Sequence, residues 1–120
     1  MKVCVAVCGF LAIASSASAA PIESYTARLS AQDHFNSSGE RLETAAAIIR
    51  QDRANFYVYG SQDGEDEGDS FFVSKANRAR LESMLARGRF SQGAKRAILN
   101  GSPLIHVEIY DDFINVLIEQ

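Results

Sequence analysis

The chain has 120 residues, 12 basic and 15 acidic side chains, two cysteines and no tryptophan. That length fits one small domain, and a net charge of −3 argues against a dedicated nucleic-acid binder. Cysteine content this low excludes a disulfide-stapled scaffold.

At the amino terminus Lys2 precedes an apolar run, Val3 to Ala14, and the small residues "SSASAA" follow. This is the pattern of a secretory signal peptide, with Ala17-Ser18-Ala19 at the positions a signal peptidase reads. The expected division is therefore 1–19 signal peptide and 20–120 a single domain exported to the periplasm or the extracellular space. The apolar run falls short of the roughly 20 helical residues that span a bilayer, so the mature chain carries no transmembrane segment. Cys4, Cys8 and Lys2 all leave with the signal. The remaining chain then has no disulfide to form and is slightly more acidic.

"YTARLS" alternates, with Tyr25, Ala27 and Leu29 on one side, and reads as a half-buried strand. "AQDHFNSSGE" breaks the pattern. Ser37 and Glu40 stand at capping-box spacing, which predicts a helix starting there, with a stripe of Leu42, Ala45 or Ala46, Ile49, Arg53 and Phe56 and a stop at Gly60. A second arrangement pairs "NFYVYG" with "FFVS" as a hairpin. The next helix runs from the N-cap Ser74 to Arg87, with Leu81, Met84 and Leu85 inward and Gly88 as its stop; a short one follows from Ser91 to about Asn100.

"LIHVEIY" and "FINVLIE" flank Asp111-Asp112. With those two residues as the turn, Ile109 faces Ile114, Val107 faces Val116 and Ile105 faces Ile118, all on one face. The opposite face, bearing His106, Glu108, Tyr110, Phe113, Asn115 and Leu117, is mixed in character. A lone hairpin is marginal in water. The expected fold is therefore α+β, a small three-stranded antiparallel sheet of the N-terminal strand plus the C-terminal hairpin, with two to three helices packed on one face.

Two charged segments carry the functional expectations. Asp63, Glu65, Asp66, Glu67 and Asp69 crowd one loop, and Lys75, Arg78, Arg80, Arg87, Arg89, Lys95 and Arg96 follow it against the single acid Glu82. Set against the twelve-residue calcium loop, Asp63, Glu65, Glu67 and the carbonyl of Asp69 match its first half; Ser74 stands where the bidentate glutamate belongs. The loop is thus a candidate weak calcium site. Arg78, Arg80, Arg87 and Arg89 form a candidate surface for an anionic partner, a polymer, a lipid surface or another protein's acidic face. His106, Tyr110 and Phe113 add a mixed apolar patch.

Catalytic supply is thin. His34, beside Asp33 and near Ser30, Ser37 and Ser38, is the one candidate base for a hydrolase, without a glycine-flanked serine elbow to support it. A zinc set of Asp33, His34, His106 and Glu108 lacks the short ligand spacing of a metal motif. Asn36-Ser37-Ser38 matches a glycosylation acceptor. The reading that follows is a small non-enzymatic binding protein without a cofactor, its alternatives being the calcium module and a hydrolase centred on His34.

Overall fold

The computed structural model describes residues 19–119. The expected signal peptide, Ala19 apart, lies outside the described residues. Three strands, β1 (Glu23–Arg28), β2 (Leu104–Ile109) and β3 (Ile114–Ile118), form one antiparallel sheet in the order β1-β2-β3. Helices α1 (Ala45–Tyr57), α2 (Lys75–Arg87) and α3 (Gln92–Asn100) lie between β1 and β2 in the chain, after a short 3-10 turn at Ala31–His34. None of the helices among the described residues is long and apolar enough to cross a membrane.

The hairpin register is the one the alternation demands: Ile109 pairs with Ile114, Val107 with Val116 and Ile105 with Ile118. Tyr110 N–H donates to the Phe113 carbonyl at 2.9 Å across the Asp111-Asp112 turn. Because side chains alternate along a strand, Tyr25, Ala27, Ile105, Val107, Ile109, Ile114 and Val116 all reach one core, where they meet Ile48 and Ile49 of α1, Leu81, Met84 and Leu85 of α2 and Ile98 of α3. Ile118, at the sheet's end, stays exposed.

Ser74 and Ser91 cap α2 and α3, their hydroxyls accepting from Asn77 and Ala94 N–H. The first helix departs from the sequence reading. It starts at Ala45 with Thr44 as its cap, the Thr44 hydroxyl accepting from Ala47 N–H at 3.1 Å. Ser37 and Glu40 instead belong to a turn. Asn36 Oδ1 accepts from Ser38 and Glu40 N–H, both at 2.9 Å, and Gly39 takes a φ of +81°. The asparagine side chain thus supplies locally what a helix N-terminus would have supplied. The alternative hairpin does not form, since Phe56 and Tyr57 are helical.

Candidate functional site

The acidic loop is a cover for the free edge of β1. Thr26 N–H donates to Glu67 Oε1 at 2.7 Å, Glu67 N–H donates to the Thr26 carbonyl at 2.8 Å, and Arg28 N–H donates to Asp66 Oδ1 at 2.8 Å. Asp66 Oδ2 accepts from Asp63 N–H at 2.8 Å, and Glu65 pairs with the Arg28 guanidinium, which holds the Glu65 carboxyl below its ordinary range. An edge strand presents unpaired backbone groups, and carboxylates are strong acceptors for them. The carboxylates of Glu65, Asp66 and Glu67 therefore have partners within the protein, whereas Asp63 Oδ2 is buried without a hydrogen-bond partner among the described residues. Asp69, the fifth, leaves the loop for the interior.

There Asp69 meets a buried polar network. Arg53, on the inward side of α1 and fully buried, donates from Nη1 to Asp69 Oδ1 and to the Glu67 carbonyl, and from Nε to Asp52 Oδ2, each at 3.0 Å. Its guanidinium lies 3.9 Å from the ring centre of Tyr25 and 4.7 Å from that of Phe56. Asp69 also accepts from Phe72 N–H at 2.6 Å and from the Tyr57 hydroxyl at 2.6 Å. Burial and this carboxylate push the Tyr57 hydroxyl up to about 12. Asp33 sits alongside, accepting from Asn55 Nδ2 at 2.8 Å.

Two buried carboxyls, Asp52 and Asp69, thus share one guanidinium with Asp33 nearby, and desolvation disfavours the charged form of each. Burial raises Asp52 to about 8 despite the pull of Arg53, with the neighbouring Asp33 adding to the shift. Burial likewise raises Asp33, against the hydrogen bonds of Asn55 and Asp52. Arg53 was visible in the sequence as a charge on the apolar stripe of its helix. Asp69 and Tyr25, its partners distant in the chain, were not.

The arginines of α2 divide by role. Arg78 is buried and donates from Nη1 to the Phe72 and Val73 carbonyls, both at 2.8 Å, fixing the turn that enters α2. Arg80 Nη2 donates to the Asp111 carbonyl at 3.3 Å and Arg87 Nη1 to the Asp112 carbonyl at 2.7 Å, so both grip the hairpin turn. Arg89 joins the sheet through its backbone, donating N–H to Asn115 Oδ1 and accepting from Val116 N–H. Its guanidinium makes no hydrogen bond or ion pair among the described residues.

Arg87 and Arg89 line a cleft of about 570 Å³ together with Tyr110, Phe113, Glu108 and Asn115. The two rings stack with centroids 4.3 Å apart and planes 9° from parallel. Four of the seven proposed contact residues thus converge, while Arg78 and Arg80 do not line the cleft. His106 lies further along β2, opposite Leu117, with Nδ1 3.3 Å from Thr26 Oγ1 and 3.7 Å from Glu119 Oε1.

His34 is buried, with Nδ1 2.8 Å from the Ser30 carbonyl and Nε2 2.7 Å from the Ile98 carbonyl. Both ring nitrogens face backbone oxygens, so the ring ties the 3-10 turn to α3. Among the described residues, no group of three or more His, Cys, Asp or Glu is arranged to hold a metal ion, and the set Asp33, His34, His106 and Glu108 does not assemble. Comparison of the chain with family models, with curated proteins and with solved structures finds no match.

Proposed function

We propose that this is a small exported, non-enzymatic binding protein whose contact surface is the cleft between the end of α2 and the hairpin turn. The observation that supports it is the convergence of Arg87 and Arg89 with the stacked Tyr110 and Phe113 on that cleft. Two guanidinium groups against one carboxylate, Glu108, leave the cleft net positive in a protein whose total charge is negative. A guanidinium presents a planar fork of donors suited to carboxylate, sulfate or phosphate groups, and the ring pair offers an apolar wall beside it. The partner that fits is an anionic polymer or the acidic face of another protein.

Retention on a heparin matrix across a salt series tests this reading. The purified protein should elute at higher salt than Arg89→Glu, a change that removes no hydrogen bond or ion pair within the described fold. Tyr110→Ala should lower retention by less. Identical elution of wild type and Arg89→Glu would remove the cleft as the contact surface.

A further inference from the structure

A second hollow, which shares no lining residue with the basic cleft, has an uncharged lining. It encloses about 260 Å³ between the loop after the 3-10 turn and the C-terminal half of α1. Two aromatic side chains line it, Phe35 and Tyr59, and both are exposed, Tyr59 to 60%. The remaining lining is amide or hydroxyl: Gln32, Asn36, Gln51 and Asn55, with Ser37 and Ser61. No charged side chain among the described residues lines it.

The amides are held in place from behind. Asn55 Oδ1 accepts from Gln51 Nε2 at 2.8 Å, and Asn55 Nδ2 donates to the buried Asp33 at 2.8 Å, so the Asn55 amide plane is fixed at both ends. Asn36 Oδ1 is occupied by two backbone N–H groups, which leaves its Nδ2 as a donor without a partner among the described residues. The Arg41 guanidinium lies 5.8 Å from the Phe35 ring centre and steadies that ring. Such support behind contact groups is what preorganises a site.

From this geometry we infer that the hollow binds a neutral pyranose oligosaccharide. An exposed aromatic face packs against the C–H face of a sugar ring, while amides and hydroxyls match its hydroxyl groups as both donors and acceptors. A phosphate or sulfate ester finds no cation here to pair with. An acyl chain would strip water from the amides without replacing its hydrogen bonds, at a cost for each unpaired group. The hollow is smaller than the roughly 300–1,000 Å³ typical of drug-sized ligands and suits a single ring. It runs on into a neighbouring hollow of about 470 Å³ that shares Ser37, Gln51 and Tyr59. A chain of rings crossing Tyr59 therefore fits better than a free monosaccharide, and charge enters only in that second hollow, with Arg50, Lys75 and Glu82.

The test is a titration of isotope-labelled protein with maltohexaose, cellohexaose and chitohexaose, read by the side-chain amide resonances. The expected result is saturable shifts of the Asn36, Gln51 and Asn55 amides with at least one of the three, and a loss of affinity of about tenfold or more in Tyr59→Ala. Phe35→Ala is the second variant, read the same way, with thermal melts confirming that each variant is folded. Absence of saturable shifts with all three hexamers overturns the inference. Shifts confined to residues outside the hollow, or unchanged by both aromatic substitutions, also overturn it.

Discussion

Arg53 has a buried carboxylate on each side, Asp52 and Asp69, and an aromatic ring beneath it. Removing one partner of a buried ion pair strands the other charge in a medium that solvates it poorly, which costs about 3–5 kcal/mol. Arg53→Ala strands the Asp69 carboxylate and removes the donor to Asp52, so a loss within that range is expected in urea unfolding, and a loss under ~1 kcal/mol would show that water reaches the network. Asp52 carries a separate signature. Its carboxyl is raised from 3.8 in the unfolded chain to about 8 in the folded one. A raised carboxyl binds its proton more tightly in the folded state. Its contribution is complete below the unfolded value and is lost as pH rises through the folded one. Stability should therefore decline from about pH 4 to about pH 8, and Asp52→Asn, which keeps the shape without the titration, should flatten that decline. Thermal melts of both proteins across this interval measure the difference.

Gly88 and the acidic loop set how the elements join. A Cβ on Gly88 would lie 1.7 Å from the Ile114 carbonyl oxygen, a backbone atom that cannot rotate away. Gly88→Ala should then push α2 off β3, at about 1–3 kcal/mol or more, seen as a lower urea midpoint. For the loop, calcium would have to compete with the backbone N–H groups of Thr26, Arg28 and Phe72 and with two arginines. Calcium at about millimolar concentration, the weak extracellular range, should leave the melting temperature unchanged; a saturable increase would mean that Glu65, Asp66 or Glu67 gives up its present partner to the ion. The same contrast explains what was legible beforehand. Strand alternation and serine caps are local in the chain, so the sheet, its register and the ends of α2 could be read directly. Ala45, Ile49 and Arg53 of the expected α1 stripe are buried on the helix, but Leu42 lies before it, because the Asn36 side chain competes for the backbone near Ser37 and the helix starts later. The sequence marks the acidic loop as a candidate ion site because nothing local reveals that its partners lie some forty residues earlier, on β1. Arg78 reads as a contact cation for a similar reason, the carbonyls it donates to becoming neighbours only when the chain turns at Phe72 and Val73.

Across the whole molecule the two edges of the sheet are treated differently. The β1 edge is sealed by side-chain acceptors, with Glu67 and Asp66 on its N–H groups and Glu23 accepting from Ser70 N–H at 2.7 Å. On the β3 edge, Arg89 accepts from Val116 N–H, and Leu117 and Ile118 beyond it are exposed. An unsealed edge recruits another strand, so the sheet should present one inert side and one short reactive end. Hydrogen exchange gives the ordering. The Thr26 and Arg28 amides, although on an outer strand, should exchange nearly as slowly as those of the central strand β2, and the Ile118 amide should exchange fast. Substituting Asp66 and Glu67 together by Ala should speed Thr26 and Arg28 and add a concentration-dependent dimer in sedimentation, because the exposed N–H groups become available to a second copy. Fast exchange at Thr26 in the unaltered protein would mean that the acidic loop opens on its own, and that its carboxylates are exposed to solvent cations after all.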